Sequence, residues 1–373
     1  MKGIKGIWKL AKVGGMVFTV LLAVAYVASA YGGMVNPSET TRYALLCLGY
    51  PLFFIASCVV LIVWLALGQW KIAAVTAISL LATLEPIGTY FPLNLPWGNE
   101  LSPQERQRSF KLLTFNVMNF TDFDGTVHER NRTAQYILDT DADIVCLQEG
   151  ARYEPITDIK LIKEMLPELR ERYPYYTKGI DDMVLLSKFP FTQGDDCVEE
   201  AGKKVVTYDV QLPCGDTVRI FNCHLHSIGL TTDDKEIYRQ ITDVNDLDKL
   251  QPAEAMQELR SSLFSKLSKA FVVRGKQARK LREFIDRAGR NVIVCGDFND
   301  TPGSYSYRTV RGSDLRDAYL DCGFGPTITY HDNRFYFKID QILYRGDLEA
   351  VAIERGKINS SDHYPLVATF VCD

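Results

Sequence analysis

Zinc-finger and redox signatures are missing from this 373-residue chain. None of its nine cysteines forms a CxxC pair or a Cys/His zinc spacing. Cys47 and Cys58 sit in long apolar runs. Cys146, Cys223 and Cys295 sit in strand-like runs, where cysteine acts as a small buried apolar residue. Cys197, Cys214, Cys322 and Cys372 are loop-like, and their spacing assigns no bridge. Histidine is scarce, with five in all. A broad basic excess is lacking too. Residues 1–100 hold six Lys/Arg and three acids, which leaves 36 basic against 43 acidic side chains, net −7, in the remainder. That excludes a wide nonspecific nucleic-acid footprint, although a local groove can still be basic. No repeat of solenoid period is present.

Apolar sequence is concentrated in the first hundred residues, in stretches 13–30, 43–67 and 72–91. Each approaches or exceeds the roughly 20 residues that cross a bilayer. The third contains Glu85, Pro86 and Gly88, which also fits a short, tilted or interfacial segment. The first follows Lys2, Lys5, Lys9 and Lys12 and ends in Ala28-Ser29-Ala30, so it resembles a signal peptide; the apolar stretches that follow favour an uncleaved anchor. We expect a membrane region of about three helices over 1–95, with the lysine-rich N-terminus in the cytoplasm. An odd number of spans puts the rest on the extracytoplasmic side. Arg42 argues weakly against this orientation, and two spans would reverse it. Residues 96–108 read as a linker and 109–373 as a catalytic domain.

Beyond the linker, short apolar runs alternate with longer amphipathic ones. Helices are expected over 130–140, 158–172 and 254–288, the last broken near Arg274-Gly275. A short strand is expected over 183–187, and a strand pair over 205–212 and 218–223. Embedded strand pairs point to two packed sheets with helices outside, in place of a purely parallel doubly wound sheet. The polar segment 231–251 reads as a surface excursion or a lid over the site. The basic stretch Arg274–Arg287 reads as a solvated helix face or a groove lining.

Six polar clusters sit at the edges of apolar runs: Asn116 in TFNVMN, Glu149 in IVCLQE, His224 in IFNCHLH, Asp297 and Asn299 in VIVCGDFND, Asp340 in KIDQIL, and Asp362-His363 in SDHYPLV. The polar group ends the run in the first four and begins it in the last two. All six reach one rim if the runs are neighbouring strands and the late two are antiparallel to the early ones. Such a rim holds the parts of a Mg²⁺-dependent phosphate-ester hydrolase, which needs a hard cation, a positioned water and groups that stabilise added negative charge. Glu149 is the leading Mg²⁺ ligand, since Mg²⁺ prefers oxygen. Asp297 is suited to accept a proton from water or to hold the water in line. Asn299 is suited to contact a phosphate oxygen or orient Asp297. Asp340 and Asp362 offer a carboxylate partner for His363, favouring its imidazolium form. His224-Leu-His226 could begin a dinuclear zinc site, but Ser227-Ile228 stands where such sites need Asp-His. His224 is therefore read as a phosphate contact, and His128 and His331 as structural.

TFNVMN, LQE, the strand ending in His224, GDFNDTP, IDQIL and SDHYP, in this order over residues 108–373, resemble the endonuclease/exonuclease/phosphatase superfamily. Pancreatic deoxyribonuclease, abasic-site endonucleases, deadenylases, neutral sphingomyelinases and inositol polyphosphate phosphatases belong to it. The resemblance implies a four-layered α/β sandwich with the site at one end of two packed mixed sheets. It implies a metal, Mg²⁺ with Mn²⁺ as a substitute, on Glu149 with Asn116 beside it and Asp362 close by. It also implies that His224 and Asn299 touch the scissile phosphate, that Asp297 positions or activates water, and that Asp340 orients His363. No subfamily signature is complete. Gly150-Ala151-Arg152 follows LQE where abasic endonucleases carry a lysine. FYFKIDQIL replaces the tryptophan-rich motif of the inositol phosphatases, and Asp181-Asp182 precedes MVLLSKFP in place of a small residue.

The expected protein is a membrane-anchored phosphodiesterase acting on nucleic acid or a phospholipid headgroup, with the bilayer as its structural partner and no obligate protein partner. The rival reading is a catalytically inactive membrane receptor or scaffold on the same fold.

Overall fold

The computed structural model describes residues 2–95, 101–121, 123, 130–150, 160–177, 182–200, 202–229, 253–332 and 336–372. The expected excursion 231–251 and His128 lie outside the described residues. Two six-stranded mixed sheets organise the chain from residue 109 onward. The first is built from β1 (Ser109–Asn116), β2 (Ile144–Gln148), β3 (Tyr175–Tyr176), β4 (Val184–Ser187), β11 (Leu348–Arg355) and β12 (Leu366–Cys372), ordered β11-β12-β1-β2-β4-β3. The second uses β5 (Phe191–Glu200), β6 (Lys203–Gln211), β7 (Thr217–His224), β8 (Val292–Asp297), β9 (Arg316–Asp317) and β10 (Asp340–Arg345), ordered β5-β6-β7-β8-β10-β9.

The central strands are apolar on both faces because both faces are covered. Successive side chains alternate between two cores, as strand geometry demands. Ile144 and Cys146 enter the core between the sheets, where Leu112, Ile293, Cys295 and Phe370 meet them. Val145 and Leu147 enter an outer core with Ile137 and Leu169 from helices Arg132–Thr140 and Lys160–Arg172. Val292 and Val294 enter the opposite outer core with Leu281 and Ile285 of helix Ala253–Arg287. The order of layers is therefore helix, sheet, sheet, helix.

Strand direction sets the rim. β1 runs parallel to β2, and β7 parallel to β8. β12 is antiparallel to β1, and β10 antiparallel to β8. The C-terminal ends of β1, β2, β7 and β8 thus meet the N-terminal ends of β10 and β12 at one edge. His224 and Asp340 are each in register with Asp297.

The long helix runs unbroken from Ala253 to Arg287, past the break expected at Gly275. Two of its basic residues are tied down, while Lys276, Lys280 and Arg287 stay exposed on the solvated face. Arg274 is buried and pairs with Asp300 at 3.2 Å, and Arg282 bonds Asp286 and Asp314.

The N-terminal region has five helices: α1 (Lys2–Tyr31), α2 (Arg42–Leu48), α3 (Tyr50–Ala66), α4 (Trp70–Leu81) and α5 (Leu84–Tyr90). One segment, Trp8–Met34, is long and apolar enough to cross a membrane by itself. The second and third apolar stretches are each bent, by 62° between α2 and α3 and by 63° between α4 and α5. They reach spanning length only as broken pairs. Pro51 and Pro86 follow the two breaks, and neither can donate to a continuing helix. Leu21 and Val24 of α1, Leu52 and Ile62 of α3, and Ile78 and Leu81 of α4 are all exposed.

This bundle docks on the loop that follows β8. A Cβ on Gly33 would lie 1.8 Å from the Gly303 carbonyl oxygen, so the two backbones touch. The Tyr90 hydroxyl donates to Thr301 Oγ1 at 3.3 Å, and Asn94 Nδ2 donates to the carbonyls of Leu320 and Gly323 at 2.6 and 3.0 Å. Gly33→Val should therefore lower stability by about 1–3 kcal/mol, the usual cost of forced overpacking. Gly14→Ala, with nothing within 4 Å, should not. Thermal unfolding of the two variants in detergent checks this.

Candidate active site

The turn after β8 sets the geometry. Gly296 has φ +124°, and a Cβ there would meet the Cys223 carbonyl oxygen at 2.1 Å. Only glycine lets β7 and β8 close this tightly at the rim. Asp297 then ends the strand, buried. Asn299 turns back with φ 51°, and its backbone N–H donates to Asp297 Oδ1 at 2.7 Å. Its side-chain Nδ2 donates to Asp297 Oδ2 at 3.0 Å and to the Leu225 carbonyl at 3.0 Å. From the other sheet, Asn116 Nδ2 donates to the same Oδ2 at 3.2 Å. Glu149 also adopts a left-handed backbone, with φ 54°. Left-handed non-glycine residues cost energy and gather at functional sites.

Two imidazoles stand over Asp297. His363 Nε2 is 3.6 Å and His224 Nε2 is 3.8 Å from Asp297 Oδ2. His224 Nε2 also lies 3.6 Å from Glu149 Oε1. His363 Nδ1 pairs with Asp340 Oδ2 at 2.9 Å, which fixes the ring and leaves Nε2 toward Asp297. Tyr330 packs edge-on against His363, with ring centroids 5.0 Å apart. Burial alone would lower the His363 pKa, but the carboxylates of Asp340 and Asp297 outweigh it, so His363 is raised and held as imidazolium. Burial pushes Asp297 up. The His363 charge opposes that, and Asp340 adds to it.

All eight residues singled out in the sequence lie along this rim. Seven are joined by the contacts above. The eighth, Asp362, has its carboxylate 3.3 Å from the Ser361 hydroxyl and its backbone carbonyl accepting from His331 N–H. His331 itself stacks on Tyr364 and meets Phe123 edge-on.

Ligand atoms of Asp297, Asp340 and His363 fall within 4.8 Å of one another, a spacing that suits a metal. His363 Nδ1 is committed to Asp340, so the trio also forms an internal ion network. Glu149, with its side chain 27% exposed, offers carboxylate oxygens at the open edge, and the Oδ1 of buried Asn116, which accepts from Met118 N–H at 3.2 Å, is the further oxygen donor on the neighbouring strand. That donor chemistry fits a hard divalent cation. Softer donors, Cys146, Cys223 and Cys295, are buried behind the rim, and burial raises the thiols of Cys146 and Cys223.

Several supporting residues escaped the sequence reading. Ser361 donates to the Asn116 carbonyl at 2.7 Å and accepts from His363 N–H at 3.2 Å. Gln148 Nε2 donates to Asn222 Oδ1 across the sheets at 2.7 Å. Thr329 Oγ1 accepts from the Ile339 and Asp340 N–H groups. Arg274 holds both Asp300 and the His226 carbonyl. A polar Asn222 inside IFNCH was a visible signal; nothing marked Thr329 or Arg274.

A description of this arrangement already exists in the Endonuclease/Exonuclease/phosphatase family, whose model matches residues 113–363. That is more than half of the chain, and the chain belongs to this family. Membership makes it a phosphoric ester hydrolase of a family that typically works with a divalent metal. A second family model, a domain of unknown function, matches residues 11–90. No curated protein matches. Among solved structures, humanized D. rerio TDP2 is similar over 70% of this chain and 99% of its own, at 16% identity and TM-score 0.46. The human Nocturnin catalytic domain covers 71% and 94% at 17% identity and TM-score 0.45. Sphingomyelinase C from Streptomyces griseocarneus covers 70% and 99% at 17% identity and TM-score 0.43.

Removing the Asp340 charge should unmask the effect of burial on His363. In metal-free protein, Asp340→Asn should lower the His363 imidazole pKa, so that the ring deprotonates at lower pH than in the wild type. An NMR titration of the His363 ring reads this directly, and an unmoved midpoint would contradict the assignment.

Proposed function

We propose that this is a membrane-anchored, Mg²⁺-dependent phosphodiesterase that attacks its substrate with an in-line water. The observation that carries the reading is the Asp297 carboxylate, fixed by Asn116 and Asn299 and flanked by two imidazoles. A carboxylate held this way can orient a water and take its proton. A proton acceptor works best with a pKa near the operating pH, and burial moves Asp297 in that direction. His363, charged through Asp340, is placed to donate from Nε2 to a non-bridging phosphate oxygen as negative charge accumulates. His224 serves the same phosphate, and the Asn299 amide, with both N–H groups committed, orients Asp297. Glu149 and Asn116 would hold Mg²⁺, with Asp362 nearby. When bound, the ion supplies charge neutralisation at the phosphate. Mn²⁺ offers the same octahedral oxygen chemistry.

Anchoring is supported by Trp8–Met34 and by the exposed apolar surface of the bundle, which far exceeds single scattered residues. Four lysines in the first turns of α1 favour a cytoplasmic N-terminus and an extracytoplasmic catalytic domain. Asn299 and Gly303 are at most about 14 Å apart, since four residues reach no further, and Gly303 touches Gly33 just past the end of α1. That proximity favours a phospholipid headgroup over nucleic acid as substrate, and the net charge of −7 beyond residue 100 disfavours long duplex DNA.

Purified full-length protein in detergent should hydrolyse bis-p-nitrophenyl phosphate with Mg²⁺ or Mn²⁺ and stop with EDTA. Glu149→Ala and His363→Ala should each lose at least about 10²-fold in kcat/KM. Metal-independent rates, or wild-type rates in both variants, would discard this assignment of the site, and no turnover with either metal would leave the scaffold reading in place. A panel of phospholipids, single-stranded DNA, duplex DNA and RNA should show the lipid turned over fastest.

A further inference from the structure

A cavity of about 350 Å³ lies on the seam between the N-terminal bundle and the catalytic domain, apart from the rim described above. Met34, in the 3-10 turn Gly32–Met34 that follows α1, and Glu85 and Thr89 of α5 line one wall. Arg308, Arg311 and Gly312, at the end of helix Tyr305–Arg311, line the other. The two arginines are engaged differently. Arg308 donates from Nε to the Gly303 carbonyl at 3.1 Å, and its Nη2 lies 3.4 Å from Glu85 Oε2. Arg311 Nε is buried with no hydrogen-bond partner among the described residues. A buried donor on a permanent cation is costly to leave unmade. Glu85 offsets one of the two arginines, so the lining carries one formal positive charge in excess, which a single phosphodiester anion would balance.

The position of the cavity says which phosphate fits. It lies at the end of the span-length segment Trp8–Met34, which on the membrane reading above is where the chain leaves the hydrocarbon. Met34 on its wall is 61% exposed, and Leu84, next to Glu85, is 62% exposed. Exposed apolar side chains beside the mouth and the half-buried Arg311 on the wall match a lipid, acyl chains outward and phosphate inward. We propose that this cavity binds the phosphate of a singly charged anionic phospholipid of the surrounding membrane, through Arg311 with Arg308 in support, at a site distinct from the catalytic rim. A lipid held there touches α1, α5 and the helix that follows the Asp300–Ser304 loop, so it closes the seam between anchor and enzyme.

The proposal rests on the membrane reading above, and the test separates the two. Full-length protein in detergent is titrated with dioleoyl phosphatidylglycerol, dioleoyl phosphatidylcholine or glycerol 3-phosphate, and adducts are counted by native mass spectrometry. One phosphatidylglycerol should bind in preference to phosphatidylcholine and to glycerol 3-phosphate. Arg311→Gln should weaken it about tenfold, the weight of one charge-assisted hydrogen bond, and Arg311→Lys should weaken it less. Hydrolysis of bis-p-nitrophenyl phosphate should persist in Arg311→Gln, which reports that the enzyme is folded. Equal binding of the two lipids, glycerol 3-phosphate binding as tightly as the lipid, or wild-type affinity in Arg311→Gln would overturn the site. Carbonate extraction of membranes is the separate arm. Release of the chain defeats the anchoring reading, whereas retention together with unchanged lipid binding in Arg311→Gln defeats the headgroup site alone.

Discussion

The Asp297 carboxylate is the constraint on which the rest of the structure depends. It ends a strand of one sheet, yet one of its hydrogen bonds comes from Asn116 in the other. A buried carboxylate without partners would be expelled or neutralised. Here three N–H donors and two imidazoles surround it, so the sheets must keep their relative position for the charge to be tolerated. The cross-sheet bond between Gln148 and Asn222, and the Ser361 hydroxyl on the Asn116 carbonyl, hold the same seam. The polar rim is thus part of what aligns the sandwich, and the apolar interior supplies the cohesion.

That division explains how much was legible in the sequence. A run such as VIVC followed by Gly-Asp states strand, turn and polar terminus at once, because strand alternation and the need for glycine at φ +124° are local. The two-sheet architecture follows from embedded strand pairs. The partners of Asp297 do not follow from any local rule: Asn116 is 181 residues away from it. Only the shared order of motifs pointed there. The pairing of Arg274 with Asp300 was invisible for the same reason, and it takes that one residue out of an otherwise solvated basic face. In the bundle, local rules were under-used. Pro51 and Pro86 sit at the start of the second helix in each bent pair, and both sharp bends lie there.

Catalytic geometry and anchoring meet in one short loop. Asp297 and Asn299 face the site, and four residues later Gly303 touches Gly33. Between them, Asp300 is gripped by Arg274 and Ser306, and Thr301 receives the Tyr90 hydroxyl. A rigid connection of this length transmits displacement, because close-packed contacts have little compliance. The N-terminal bundle is therefore a structural support of the enzyme as well as a candidate tether.

The contact between Gly33 and Gly303 also has a consequence for biogenesis. The first helix leaves the ribosome about 270 residues before its docking partner exists. At ordinary elongation rates that gap lasts some tens of seconds. During that time the surface around Gly33 stays uncovered. Assembly must then close the later-made domain back onto the N-terminal helices, a late non-local closure of the kind that slows folding.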